Sequence, residues 1–146
     1  MTDAVNIGKE HPETYKAQIA LDKATSQAAV GAGLDPLLIE LVKIRISQLN
    51  GCAFCLRMHT RNSLAKGESI DRLAVLPAWW ESQYLSDTEK AALALAEQTT
   101  ELGVPEQRTW DDGTLTEQQQ SALTWLAVVM NGWNRIAIMS HYPVGP

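Results

Sequence analysis

The sequence predicts an all-α protein, and three observations support that prediction. Apolar residues recur at the three- and four-residue spacing of an amphipathic helix along most of the chain. Capping residues, Gly and Pro stand at both ends of these segments. No stretch shows the convincing apolar–polar alternation of a half-buried strand. We therefore expect about six helices in a single domain that spans residues 1–146.

The first two long helices are predicted from their boundaries. Residues 1–11 are expected to form a loose polar tail, and a helix over 12–30 begins with a proline and ends at a Gly-Ala-Gly segment. Asp35 is a capping residue, and a proline follows it at the first helical position. The helix over 36–49 is apolar on most of its circumference, so we expect it to be buried on several sides.

Three further helices are predicted in the second half of the chain. Ser69 and Thr116 are capping residues of the first and third of them. Ser86 and Glu89 form a capping box at the start of the second. The first is expected over 69–75, the second from the capping box to 103, and the third over 117–140. A loop over 104–113 holds Pro105 and Trp110.

Composition excludes several classes of partner. The chain of 146 residues has a formal net charge of −5, and no Lys/Arg cluster points to nucleic acid or to an anionic membrane. The start, MTDAVNIGKEHPE, lacks the apolar core of a signal peptide, and no apolar run reaches membrane-spanning length. We expect a cytoplasmic protein with neither nucleic-acid nor membrane partners.

The candidate functional residues lie in the middle of the chain. Cys52 and Cys55 are the two cysteines, and His59 follows the second of them by four residues. If a helix over 52–66 begins after the turn dipeptide Asn50-Gly51, the three side chains share one face at i, i+3 and i+7. The first turn of a helix favours a thiolate, which would lower the pKa of Cys52.

The geometry of a helical hairpin adds Glu40 to the candidate functional residues. If the helices before and after the turn are antiparallel, Glu40 lies about ten residues before the turn and His59 about eight or nine after it. At about 1.5 Å rise per residue, the two are within about one helical turn of the same level. The carboxylate could then orient an imidazole that acts as a base toward a thiol. The alternative is a surface ion pair between Glu40 and Lys43.

This spacing resembles the signature of a known family. Glu40, eleven residues, Cys52-Ala-Phe-Cys55, three residues and His59 are similar to the pattern of the alkylhydroperoxidase D-like proteins, of the carboxymuconolactone decarboxylase superfamily. The similarity extends over about residues 15–101, and the segment 131–135, Asn-Gly-Trp-Asn-Arg, resembles the family's last helix. The resemblance implies an all-α bundle around the helical hairpin.

The resemblance also implies an activity, which is reduction of a hydroperoxide by a dithiol–disulfide cycle without a cofactor. It assigns Cys55 as the attacking thiol and Cys52 as the more exposed resolving thiol. Glu40 would orient His59 and accept the proton. A dithiol protein or a small thiol would reduce the resulting disulfide.

Three other functions stay open at this stage. The founding peroxidases carry a histidine inside the Cys-x-x-Cys where this chain has Ala53, which favours a disulfide relay with little peroxidase activity. Cys52, Cys55, His59 and Glu40 could instead form a zinc site. A decarboxylase of lactone acids is the remaining alternative, and it leaves the cysteine pair without a task.

We also expect a homo-oligomer. The apolar helix over 36–49, the long last helix and five tryptophans are more apolar surface than six helices of one small domain are expected to bury. The resemblance implies a trimer or a hexamer, and cyclic assembly is a common way to cover such surfaces. The predicted hairpin would then lie close to a subunit boundary.

Overall fold

The computed structural model describes residues 3–103 and 113–146, and within these ranges it is all-α, as predicted. It contains seven α-helices, one 3-10 helix and no strand in the described ranges. They are α1 (Ile7–Glu10), α2 (Pro12–Gly31), α3 (Pro36–Asn50), α4 (Ala53–Ala65), α5 (Ile70–Val75), the 3-10 helix (Leu76–Glu81), α6 (Asp87–Glu101) and α7 (Glu117–Met139). The predicted loop with Pro105 and Trp110 lies outside the described residues except for Gly113. No helix in the described part of the chain has the length and apolar character needed to cross a membrane.

The helix starts are set by side-chain caps, which is why the sequence predicted them closely. The Asp35 carboxylate accepts a hydrogen bond from the Leu37 amide at the start of α3. Ser86 and Glu89 form the predicted reciprocal capping box at the start of α6. A second such box, between Thr116 and Gln119, begins α7.

The N-terminal segment is not the loose tail that the sequence suggested. Asn6 caps α1 by accepting a hydrogen bond from the Lys9 amide. The Ile7 amide donates to Ser140 Oγ at 3.2 Å, which fastens α1 to the end of α7. A β-carbon at Gly8 would lie 2.7 Å from the Tyr15 ring, so the glycine permits α1 to lie against α2. The polar composition of the segment gave no indication of these contacts.

The core is built around α3, which packs against α4, α6 and α7. Six of its apolar side chains are at most 7% exposed, whereas Leu37 and Leu49 are half-buried; the six are Leu38, Ile39, Leu41, Val42, Ile44 and Ile46. They meet buried side chains of α6 and α7, among them Leu93, Leu123, Leu126 and Met130. One chain therefore buries most of the apolar surface of α3 without a second subunit. The apolar character of α3 alone gives no reason for a subunit boundary there, and the position of the hairpin in an oligomer remains a prediction.

A buried amide network joins the end of α3 to α7. Asn134 is fully buried; its side-chain amide donates to Ser47 Oγ at 3.1 Å, and its carbonyl oxygen accepts from Asn50 at 2.9 Å. Asn50 also donates to the Asn131 side chain at 2.8 Å. Immediately after it, Gly51 adopts φ +68°, a left-handed conformation that favours glycine and ends α3. The network and the turn together determine where the chain enters α4.

The Asn134→Ala variant should be destabilised by about 2 kcal/mol, because it removes a hydrogen-bond partner from the buried Ser47 and from the half-buried Asn50. Reversible urea unfolding followed by far-UV circular dichroism measures this free energy. The matched control is Gln118→Ala, an exposed position near the start of the same helix, which should change stability little. Equal stability of both variants would mean that the network does not hold α3 to α7.

Candidate functional site

The α3–α4 hairpin brings the predicted pair of side chains together. The helices pack against each other on either side of the turn. Oε2 of Glu40 lies 3.0 Å from Nδ1 of His59, and both residues are buried. The pairing expected from helical rise is therefore confirmed, although the roles of these residues in catalysis remain predictions. The alternative surface pair of Glu40 with Lys43 is wrong, because the carboxylate faces α4.

A third residue, which the sequence analysis missed, completes this cluster. Nζ of Lys66 donates to Oε1 of Glu40 at 2.5 Å, so each carboxylate oxygen has its own partner. Lys66 is the residue that follows the last turn of α4, and its side chain is 45% exposed. A signal was available: Lys66 follows His59 by seven residues, which places both on one helical face.

The electrostatic balance keeps Glu40 ionised. Burial of the carboxyl raises its pKa, but the hydrogen bonds from His59 and Lys66 outweigh this and lower the pKa to about 2. The nearby charge of Lys43 acts in the same direction. A carboxylate with so low a pKa is a poor proton acceptor near neutral pH. The expectation that Glu40 accepts the proton is therefore disfavoured, and orientation of His59 is the role that fits.

The two cysteines form a disulfide at the start of α4. Cys52 is the residue that caps the helix, and the Cys55 amide donates to its Sγ at 3.3 Å. The relative exposures are 1% for Cys52 and 2% for Cys55, so the expectation of a more exposed Cys52 is wrong in this chain. The C-terminal segment lies against this part of α4: Tyr142 packs edge-on against Phe54 with ring centroids 5.1 Å apart.

Cys55 and His59 border the same cavity, which has a volume of about 310 Å³. Its walls are mostly apolar and come from α2, α4 and α7. Its other lining residues are Tyr15, Asp22, Lys43, Phe54, Met58, Leu126, Val129, Met130, Trp133, Ala137 and Tyr142. The cavity could therefore admit a small, largely apolar molecule to the sulfur of Cys55.

Cys52 borders a different opening. A cleft of about 180 Å³ lies between the start of α4 and the C-terminal segment, and its walls include Cys52 and Ala53. Phe54 and Tyr142 line both spaces and stand between them. The two cysteines therefore border two different spaces.

The four residues considered for a zinc site are not arranged as one. In residues 3–103 and 113–146, no group of three or more His, Cys, Asp or Glu side chains has a geometry that could hold a metal ion. Both sulfur atoms are bonded to each other, and the Glu40 oxygens face His59 and Lys66.

Comparison with known proteins agrees with this fold and site. The Carboxymuconolactone decarboxylase family profile matches residues 12–98. The chain belongs to this family. It is 36% identical over 144 residues to the uncharacterized protein YdfG of Bacillus subtilis (strain 168), with 94% of each chain covered. It is also 36% identical over 64 residues to the uncharacterized protein YnjA of Escherichia coli (strain K12), which covers 44% of this chain and 35% of that one.

A solved structure from Agrobacterium tumefaciens has the same fold. Its TM-score is 0.82 and its sequence identity 28%, over 99% of this chain and 100% of that chain. Its description gives a protein of unknown function, provisionally an antioxidant defence protein AhpD. The family and the Cys-x-x-Cys disulfide together indicate a redox role for this chain.

The low pKa of Glu40 predicts a pH-dependent contribution to stability. Because the folded value of about 2 lies below the ordinary 4.5, the stabilisation is present above about pH 5 and is lost as the pH falls toward 2. The stability difference between the parent protein and Glu40→Gln should narrow by about 2 kcal/mol between pH 7 and pH 3. Urea unfolding of both proteins at each pH measures it.

The control for this measurement is Glu13→Gln. Glu13 pairs with Lys16 at 2.8 Å on the exposed surface of α2, where an ion pair contributes little. The stability difference between Glu13→Gln and the parent protein should not change between pH 7 and pH 3. If the stability difference between the parent protein and Glu40→Gln stayed the same at both pH values, the low pKa of Glu40 would be contradicted.

Proposed function

We propose that the protein is a thiol-dependent hydroperoxide reductase that cycles Cys52 and Cys55 between dithiol and disulfide. One observation carries this proposal: Cys55 borders a mostly apolar cavity together with His59, whose ring is held by a buried, ionised Glu40. A thiol, a base and an orienting carboxylate are the components of an activated nucleophile. The cavity is the space in which an organic hydroperoxide would meet them.

The oxidative half of the cycle begins at Cys55. His59 takes the proton of the thiol, and the thiolate attacks the terminal oxygen of the hydroperoxide ROOH. A sulfur–oxygen bond forms as the oxygen–oxygen bond breaks, and the leaving alkoxide takes a proton from the imidazolium. The products are the alcohol ROH and a sulfenic acid on Cys55.

The second thiol then closes the disulfide. The sulfur of Cys52 attacks the sulfur of Cys55, and the sulfenic oxygen leaves with the Cys52 proton as water. Cys52 is suited to this because it caps α4, where the amide of Cys55 faces its sulfur. A dithiol protein or two small thiols return both cysteines to the reduced state. We place this exchange at Cys52, which borders the cleft beside the C-terminal segment.

Two alternatives make different predictions about the same thiols. A disulfide relay would exchange with dithiols but consume little hydroperoxide, and Ala53 at the cleft is the feature that favours it. A decarboxylase would need neither cysteine. Hydroperoxide consumption, dithiol exchange and decarboxylation of a lactone acid, measured side by side on one preparation, separate the three.

The cysteine variants should behave differently from each other. Cys55→Ser should abolish reaction with cumene hydroperoxide, because it removes the nucleophile. Cys52→Ser should consume one equivalent and stop with a sulfenic acid on Cys55, because no resolving thiol remains. Free-thiol titration after one equivalent of hydroperoxide, together with mass spectrometry of a dimedone adduct, measures both outcomes.

The control is the parent protein. It should lose two free thiols per chain, and its mass should be that of a single chain less two hydrogens. A dimedone adduct on Cys52 in the Cys55→Ser variant at the parent rate would reverse the assignment. Full consumption by the double serine variant would exclude the cysteine cycle.

We also propose that the protein acts as a homo-oligomer in the cytoplasm, where reduced dithiols are available. Several apolar side chains of α7 are exposed, among them Trp125, Val128 and Met139 at 51%, 46% and 63%. At about 100° per residue they lie within about 60° of one another around the helix. Such a stripe is the kind of surface that a trimer or hexamer covers.

Light scattering at micromolar concentration should therefore give a trimer or hexamer mass. Trp125→Lys should shift the mass toward the monomer, because it places a charge in the stripe. Ile70→Lys is the matched control, since Ile70 is 74% exposed on α5 and lies outside the stripe. A monomeric parent protein with full activity would contradict the proposal.

A further inference from the structure

Lys66 contacts the Glu40–His59 pair directly, and the proposed cycle gives it no role. Its ammonium group donates to Oε1 of Glu40, whose side chain is only 4% exposed. The lysine side chain itself is 45% exposed and comes from the residue that ends α4. The contact therefore joins a buried carboxylate to a cation at the protein surface.

Each oxygen of this carboxylate has a separate partner. Oε2 faces His59 and Oε1 accepts from Lys66, so rotation of the carboxylate would break both contacts. Without the lysine, one buried oxygen would lose its charge-assisted hydrogen bond. The carboxylate could then turn away from the imidazole or take up a proton, and either change would weaken its hold on His59.

The other charged groups near Glu40 do not duplicate this contact. Lys43, one turn along α3, acts on the carboxylate through its charge and makes no hydrogen bond to it among the described residues. Other charged groups nearby are placed differently: Glu97 of α6 bonds Arg45 and Trp79, Arg135 of α7 bonds Asn131, and Asp22 of α2 lines the cavity with Lys43 and His59. Among the described residues, Lys66 is therefore the lysine with a direct hydrogen bond to Glu40.

We propose that Lys66 is a positioning residue for Cys55 chemistry: it fixes the Glu40 carboxylate so that the carboxylate in turn fixes His59 as the base. This inference rests on the proposed role of His59. It makes the unit a relay of three residues from two helices, in which the surface cation determines the state of a buried base. Lys66 touches no reacting atom itself.

The test measures the nucleophilicity of one thiol without a peroxide. In a Cys52→Ser background, the reduced protein carries only Cys55, and its rate of alkylation by iodoacetamide is followed from pH 5 to pH 9. Lys66→Met keeps the side-chain stem and removes the ammonium. We expect the alkylation rate of this variant at pH 7 to fall roughly tenfold. This is less than the roughly 10²–10⁴-fold that a general base itself contributes to a rate. The acidic limb of its pH profile should move to higher pH, because Glu40 becomes easier to protonate.

Two further variants separate charge from structure. Lys66→Arg keeps a cationic donor and should restore most of the rate and the parent profile. Lys16→Met removes the lysine of an exposed lysine–glutamate pair on α2 and should leave both unchanged. Far-UV circular dichroism checks that every variant is folded. A Lys66→Met protein with the parent rate and profile, or a Lys66→Arg protein as slow as Lys66→Met, would overturn the inference.

The His59→Gln variant distinguishes this failure from failure of the proposed function. If His59→Gln is slow and Lys66→Met matches the parent, His59 is the base and only the role of Lys66 is wrong. If His59→Gln also matches the parent, the base of the proposed cycle is wrong, and the inference about Lys66 falls with it.

Discussion

The interaction on which the rest of the site depends is the contact between Glu40 and His59 across two helices. Burial of a carboxylate costs free energy unless the group is paired and hydrogen-bonded. The positions of α3 and α4 relative to each other must therefore keep the His59 imidazole beside the buried Glu40 carboxylate. Replacement of one partner would leave a buried polar group alone, which is why the pair constrains the hairpin more than an apolar contact would. The same contact places His59 at the cavity that Cys55 borders.

The fold supports that contact from both ends of the hairpin. At the turn, the network of Asn134, Asn50 and Ser47 fastens the end of α3 to α7, so α4 begins at a defined place. At the other end, Lys66 closes α4 over the carboxylate. Between them, most apolar side chains of α3 are buried against α4, α6 and α7 of the same chain. A rigid hairpin matters because a base displaced by about 1 Å loses much of its effect.

The sequence predicted most of the fold because its helix boundaries are marked locally. Asp35, Ser86 and Thr116 each lie at a helix start with the hydrogen bond that their residue type suggests. Helical rise alone placed Glu40 opposite His59, since both distances are counted from one turn. These features depend on neighbours within a few residues, or on two straight helices, and a single sequence contains that information.

What the sequence could not show are contacts made by distant segments. The start of α4, which holds Cys52 and Cys55, is contacted by the C-terminal segment: Tyr142 packs on Phe54, and Arg57 donates to the Gly145 carbonyl at 2.8 Å. The cover of α3 likewise depends on how α6 and α7 fold back on it. Lys66 is an intermediate case. Its spacing from His59 predicts that both lie on one face of the helix, but the sequence does not show that this long side chain at the helix end contacts Glu40.

The division of space around the disulfide adds a constraint on the chemistry. Cys55 borders an apolar cavity together with His59, whereas Cys52 borders a smaller cleft beside the C-terminal segment, and Phe54 and Tyr142 line both spaces. An oxidant that enters the first space and a thiol that enters the second would not compete for one opening. Attack on Cys52 also releases the sulfur of Cys55, and the thiolate so formed lies at the cavity where His59 can supply a proton. In the proposed cycle, reduction at Cys52 would therefore return the Cys55 thiolate to the cavity where the next oxidation would begin.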